Sequence, residues 1–204
     1  MNELKTGDLL LFSEHPYECC MGLLDCCIKC CTGSKYSHAA LVVVDPPWAP
    51  SCKGTFVWES TWHGTKDPQD SLVKFGVQLT PLEFYTKHYP GIVSIYVRDG
   101  VEIASITAIQ TTVYGHKYDT RPKDWCAALF KTPIPRQTDV FTCSAFVSYV
   151  LTMAGVLAKD TSWTTVSAED LSNNSVLQWA KVYGNVSFLG TYSQVETHAG
   201  YIEI

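Results

Sequence analysis

A cysteine, a histidine and a carboxylate can together make a nucleophile. The imidazole takes the thiol proton, and a carboxylate on the far ring nitrogen fixes the tautomer and orientation of the ring. This chain sets one of each in an apolar stretch: Cys143 opens Cys143-Ser144-Ala145-Phe146-Val147-Ser148-Tyr149-Val150-Leu151, His38 opens His38-Ala39-Ala40-Leu41-Val42-Val43-Val44, and Glu59 is embedded in Phe56-Val57-Trp58-Glu59-Ser60. Singly, each has a quieter reading. A free cysteine can be a small buried hydrophobe, and a histidine at a strand start can be a satisfied core residue. Glu59 can face solvent, since Val57 and Glu59 share one strand face while Phe56 and Trp58 share the other. A buried Glu59, however, needs a partner, because an unpaired buried charge costs several kcal/mol. His38 on the neighbouring strand is the economical candidate.

The elements that must position these residues are legible from periodicity. Cys143, Phe146, Val147, Val150, Leu151 and Ala154 follow the i, i+3, i+4, i+7, i+8, i+11 pattern of a helix with one buried face. Thr142 is a suitable N-cap and Gly155 a suitable left-handed C-cap residue. Cys143 then lies in the first turn, where the helix dipole and unpaired N–H groups favour thiolate. His38 to Val44 and Thr55 to Thr61 read as strands joined by a Pro-containing loop, a hairpin that brings His38 and Glu59 side by side.

Around them, Gly7-Asp8 supplies a turn before Leu9-Leu10-Leu11-Phe12, an unbroken apolar run suited to a strand buried on both faces. Residues 62–79 read as a polar loop ending in a short strand, Val77 to Leu79. Thr80-Pro81-Leu82-Glu83 fits a capping box with proline at the first helical position, predicting a helix to about His88. Ile92 to Val97 reads as a strand, and Ile103, Ile106, Ile109 and Val113 mark a helix. His88 and His116 are expected on the surface or in loops. Residues 114–119 read as a loop. Pro122, Pro133 and Pro135, with no apolar period between them, predict a crossing loop over 120–140 that delivers Phe141 and Cys143. Beyond Gly155 a cap signal stands at Ser167-Ala168-Glu169-Asp170, and a last strand is expected around Val182 to Leu189. The expected architecture is one α+β domain over residues 1–204, with an insertion at about 13–37.

Composition excludes some partners. A net charge of −5 with no Lys/Arg run gives nucleic acid no electrostatic footprint. No apolar run approaches the length of a bilayer span, and Met1-Asn2-Glu3-Leu4-Lys5 lacks the features of a signal peptide, so an intracellular, cytoplasmic protein is expected. Of nine cysteines, six stand at Cys19, Cys20, Cys26, Cys27, Cys30 and Cys31. That bunching is no disulfide framework, and the thiols are expected reduced. On a helix, Cys19, Leu23, Cys26, Cys27 and Cys30 share a stripe. Three readings compete there: packing against the core, S-acylation giving peripheral membrane contact through Cys19 to Cys31, and a metal site. The last lacks a second, distant ligand pair, so no metal or other cofactor is expected.

Gly7-Asp8 before an apolar strand, Tyr36-Ser37-His38-Ala39-Ala40-Leu41-Val42, Val57-Trp58-Glu59-Ser60, Tyr118-Asp119 and Thr142-Cys143-Ser144-Ala145-Phe146-Val147 together resemble the circularly permuted papain-fold proteins of the NlpC superfamily. The YiiX-like branch, with its poxviral members, is the nearest likeness. The resemblance covers most of residues 6–152 and rests on the order and spacing of short motifs. It implies an antiparallel sheet packed against a helix that carries the nucleophile at its N-terminus, with Cys143 as nucleophile, His38 as base and Glu59 as the orienting group. Ala145 departs from the carboxylate that the family helix often carries after the Cys-Ser pair. The implied activity is that of a thiol hydrolase, an amidase or peptidase. Relatives resembling lecithin retinol acyltransferase imply the alternative of acyl transfer or lipid ester cleavage, though these usually pair two histidines with the cysteine. A non-catalytic binding module with the same fold is a third reading. The expected substrate is accordingly a peptide, amide or lipid.

Overall fold

A computed structural model describes residues 4–13, 34–88, 92–97, 103–132, 138–173, 180–185 and 196–197 of the 204-residue chain. The cysteine-rich segment falls outside the described residues, and with it the packing, acylation and metal readings of Cys19 to Cys31.

The architecture is mixed α+β. Among the described residues nine strands form one sheet: β1 (Leu9–Ser13), β2 (His38–Val44), β3 (Thr55–Thr61), β4 (Gly76–Pro81), β5 (Ile92–Val97), β6 (Lys117–Tyr118), β7 (Val140–Phe141), β8 (Ala180–Asn185) and β9 (Glu196–Thr197), in the order β7-β6-β4-β3-β2-β1-β5-β8-β9. The helices are α1 (Leu82–His88), α2 (Ile103–Val113), α3 (Pro122–Leu129), α4 (Cys143–Met153) and α5 (Ala168–Asn173), with a 3₁₀ turn at Trp163–Thr165. No helix among the described residues is long and apolar enough to cross a membrane.

The central strands are apolar on both faces because both faces are covered. Leu9, Leu11, Ala39, Leu41, Phe56 and Trp58 belong to one core with α4, while Leu10, Phe12, Ala40, Val42, Val57 and Tyr85 make a second. On α4 the side chains of Phe146, Val147, Val150 and Leu151 are fully buried, each stabilising by roughly 1.5–3 kcal/mol. Phe146 meets Trp58 edge-on at 5.0 Å, which fixes α4 over β3.

Five sequence expectations are corrected. Residues 114–119 are not all loop, because Lys117 and Tyr118 form β6 between β4 and β7. The sheet is antiparallel except where β6 pairs β7 in parallel, so it is mixed. Residues 120–140 are not all loop, because α3 begins at Pro122, where a proline costs no hydrogen bond and presets φ. Thr80 is a strand residue, and its hydroxyl bonds Gln78 and His63 instead of capping α1. The strand expected at Val182 to Leu189 runs over Ala180–Asn185, in register with β5.

Candidate active site

Cys143 is placed from both sides in sequence. Upstream, the carbonyl of Phe141 in β7 accepts from Ser60 Oγ at 2.8 Å and from the Asp119 N–H at 3.0 Å. The Phe141 ring packs on Phe146 and Tyr149. The β6 strand that carries β7 lies unusually close to β4, since a Cβ at Gly76 would stand 2.1 Å from the His116 carbonyl. Only glycine allows that approach. Immediately before Cys143, Thr142 is extended and its hydroxyl accepts from the Ala145 N–H at 3.3 Å, the N-cap that the sequence signals. Gly155 follows α4 with φ 74°. Cys143 is thereby the first residue of a rigid, capped helix and is 7% exposed.

The β2–β3 ladder runs from Val44↔Thr55 to Leu41↔Trp58. Beyond that paired register lie the first residues of β2 and the last of β3, and there His38 and Glu59 meet. His38 Nε2 is 2.6 Å from Glu59 Oε2, and the Cys143 thiol stands close enough to the same ring to raise its pKa. With Nε2 held by the carboxylate, Nδ1 is the nitrogen left for the thiol. The ring is 5.2 Å from Phe12, its partner in the β1–β2 register, and its side chain is 19% exposed. The three residues singled out in the sequence thus lie together, the His38–Glu59 hydrogen bond beside the Cys143 thiol.

Glu59 does not face solvent: it is fully buried, and α1 covers its face of β3. The Tyr85 hydroxyl lies 2.8 Å from Oε1 and 2.6 Å from Oε2, and His63 Nε2 lies 3.4 Å from Oε1. Burial by itself pushes this carboxyl up, but the hydrogen bonds from His38 and His63 outweigh it and bring the group down from 4.5 to about 2. Burial likewise disfavours the His38 imidazolium. The charge and hydrogen bond of Cys143, then those of Glu59, outweigh it and raise the ring well above the ordinary histidine value.

His63 and Tyr85 were not singled out in the sequence. His63 sits in a polar loop without period, and its one cue is that it follows a buried carboxylate by four residues. Tyr85 looks like an ordinary apolar-face residue of α1. What could have found them is a count of donors, since a fully buried carboxylate asks for more than one imidazole supplies. The loop that carries His63 is itself tied down. Lys74 Nζ lies 2.6 Å from both Asp67 Oδ2 and Asp70 Oδ2, and the Tyr114 hydroxyl of the turn after α2 donates to Asp70 Oδ2 at 2.6 Å. His116 packs its ring on Phe141 at 5.8 Å, and His88 is exposed at the end of α1; neither belongs to the hydrogen-bonded group just described. Among the described residues no three His, Cys, Asp or Glu are grouped to hold a metal ion.

The shifts give stability a signed dependence on pH. A depressed carboxyl contributes stability that is present above 4.5 and lost as pH falls towards about 2. The raised His38, held up first by Cys143 and then by Glu59, contributes stability that is complete below 6.5 and lost as pH rises through its elevated value. Urea midpoints should therefore fall between pH 4.5 and 2. In Glu59→Gln that acid slope should be shallower, and an unchanged slope would mean that Glu59 is not the charged partner.

No protein-family model and no curated protein matches this sequence, and what bears on its function is the geometry that joins His38, Glu59 and Cys143.

Proposed function

We propose that this chain is a thiol hydrolase of the permuted papain type that cleaves an amide bond through a thioester on Cys143. The observation that carries the reading is a single imidazole held at Nε2, at 2.6 Å, by a fully buried carboxylate, with the Cys143 thiol beside the same ring and raising its pKa. A histidine serving only the core needs one satisfied partner; this one has a carboxylate on one ring nitrogen and the Cys143 thiol beside the ring.

In the reaction, the thiol proton rests on His38 and the Cys143 sulfur attacks the carbonyl carbon. The Cys143 N–H, at the start of α4 and without a partner within the helix, receives the developing oxyanion. His38 gives its proton to the leaving amine as the C–N bond breaks, leaving a thioester. It then takes a proton from water, hydroxide adds to the thioester, and the thiolate departs with release of the acid. Glu59 remains ionised and stabilises the imidazolium in each half-reaction.

A burst experiment tests this. With p-nitrophenyl acetate the protein should release about one p-nitrophenolate per chain before the steady state, and peptide mass spectrometry should find the acetyl group on Cys143. Acetylation of Cys126, the exposed thiol among the described cysteines, with none on Cys143 would refute the assignment. A matched ester and anilide of one N-acyl amino acid then separate ester from amide cleavage, and the amidase reading requires turnover of the anilide.

A further inference from the structure

The last torsion of a glutamate side chain is broad and two-fold, so Glu59 alone does not decide which way its oxygens face. Its surroundings do. The Tyr85 hydroxyl spans both oxygens at 2.8 and 2.6 Å, and His63 stands at 3.4 Å on Oε1, the oxygen turned away from His38. Both side chains are themselves fixed. The Tyr85 ring packs on Phe12 at 4.8 Å and on Phe84 at 5.4 Å. His63 stacks on Phe84 at 4.6 Å, has Nδ1 2.7 Å from Thr65 Oγ1 and has Nε2 2.9 Å from Thr80 Oγ1 and 3.1 Å from Gln78 Nε2.

We propose that Tyr85 and His63 are positioning residues of the thiol chemistry, locking the plane of the Glu59 carboxylate so that Oε2 is always presented to His38. The inference rests on the reading of Cys143 and His38 as nucleophile and base. Neither residue reaches the thiol through its own bonds; each acts through Glu59, whose charged and proton-bearing neighbours are His38, His63 and Tyr85. Tyr85 makes the shorter contacts and supports both oxygens, so its hydroxyl carries the larger share. His63 divides its Nε2 among Glu59, Thr80 and Gln78 and carries less.

The test is the pH dependence of Cys143 alkylation by iodoacetamide in the full chain, with thermal melting followed alongside. Tyr85→Phe keeps the packed ring and deletes the donor. The pH of half-maximal alkylation should rise by about one unit, which cuts the rate by up to about tenfold at pH values below the wild-type midpoint, the size expected for one hydrogen bond to a charged group. A purely structural role would lower the melting temperature and leave that midpoint in place. A folded Tyr85→Phe with the wild-type profile overturns the proposal and leaves the Cys143–His38 reading standing, whereas wild-type protein without alkylation below the ordinary thiol range fails both. If Tyr85→Phe does not fold, His63→Leu set against His63→Gln carries the test. Leucine should move the midpoint and glutamine, which keeps an N–H donor, should hold it; identical profiles for the two would overturn the proposal.

Discussion

Cys143→Ala will abolish acylation, and His38→Ala will slow it by roughly 10²- to 10⁴-fold, the range that general acid–base groups contribute. The two losses differ because one removes the atom that forms the bond and the other removes the group that moves its proton. Stability should divide the other way. At position 143 a small side chain replaces a small one at the start of a helix whose cap belongs to Thr142, so Cys143→Ala should melt close to wild type. His38→Ala strands a fully buried carboxylate and should melt lower. Burst amplitude with p-nitrophenyl acetate and calorimetry on the same preparations check both halves, and full activity in His38→Ala would end the mechanism.

The second large effect is on folding. Glu59→Ala should cost roughly 3–5 kcal/mol, the cost of removing one member of a buried ion pair. It takes the acceptor from His38, His63 and Tyr85 at once and leaves a cavity against α1. For a chain of this length that corresponds to a fall in melting temperature of roughly 6–20 °C. Glu59→Gln should fall less, because it still offers one oxygen, but it loses the charge that stabilises the imidazolium and should keep only residual turnover. A Glu59→Ala protein that melts with the wild type would mean that this carboxylate is not the keystone of the buried network.

Strong local signals made the elements around Cys143 readable before the structure. The α4 period, its Thr142 cap and its Gly155 exit are local, and each physical cause sits within a turn of its effect. The β2–β3 hairpin is nearly as local, which is why His38 and Glu59 could be paired from sequence. What escaped depends on contacts between distant segments. Two-residue strands such as Lys117–Tyr118 and Val140–Phe141 have no period to detect, yet they make the sheet mixed and aim Phe141 and Cys143. The α3 helix hid behind Pro122, a residue read as a breaker where it stands as a starter. Tyr85 and His63 reach Glu59 only because β4 lies beside β3, with Gln78 opposite Glu59 and Thr80 opposite Val57, and because α1 folds back over both.

The central claim, that His38 and Glu59 activate Cys143, is tested most directly by limited alkylation of the native protein. A low concentration of iodoacetamide near pH 6, followed by peptide mass spectrometry, sets Cys143 against the eight other thiols of the nine-cysteine chain. Exposure alone favours Cys126, which is open to solvent, over Cys143, which is 7% exposed. A thiolate paired with an imidazolium reverses that order, since an ordinary thiol is almost wholly protonated at this pH. The account predicts that Cys143 is modified first and that His38→Ala abolishes the preference. Modification that follows exposure, with Cys126 ahead and Cys143 untouched, would contradict it.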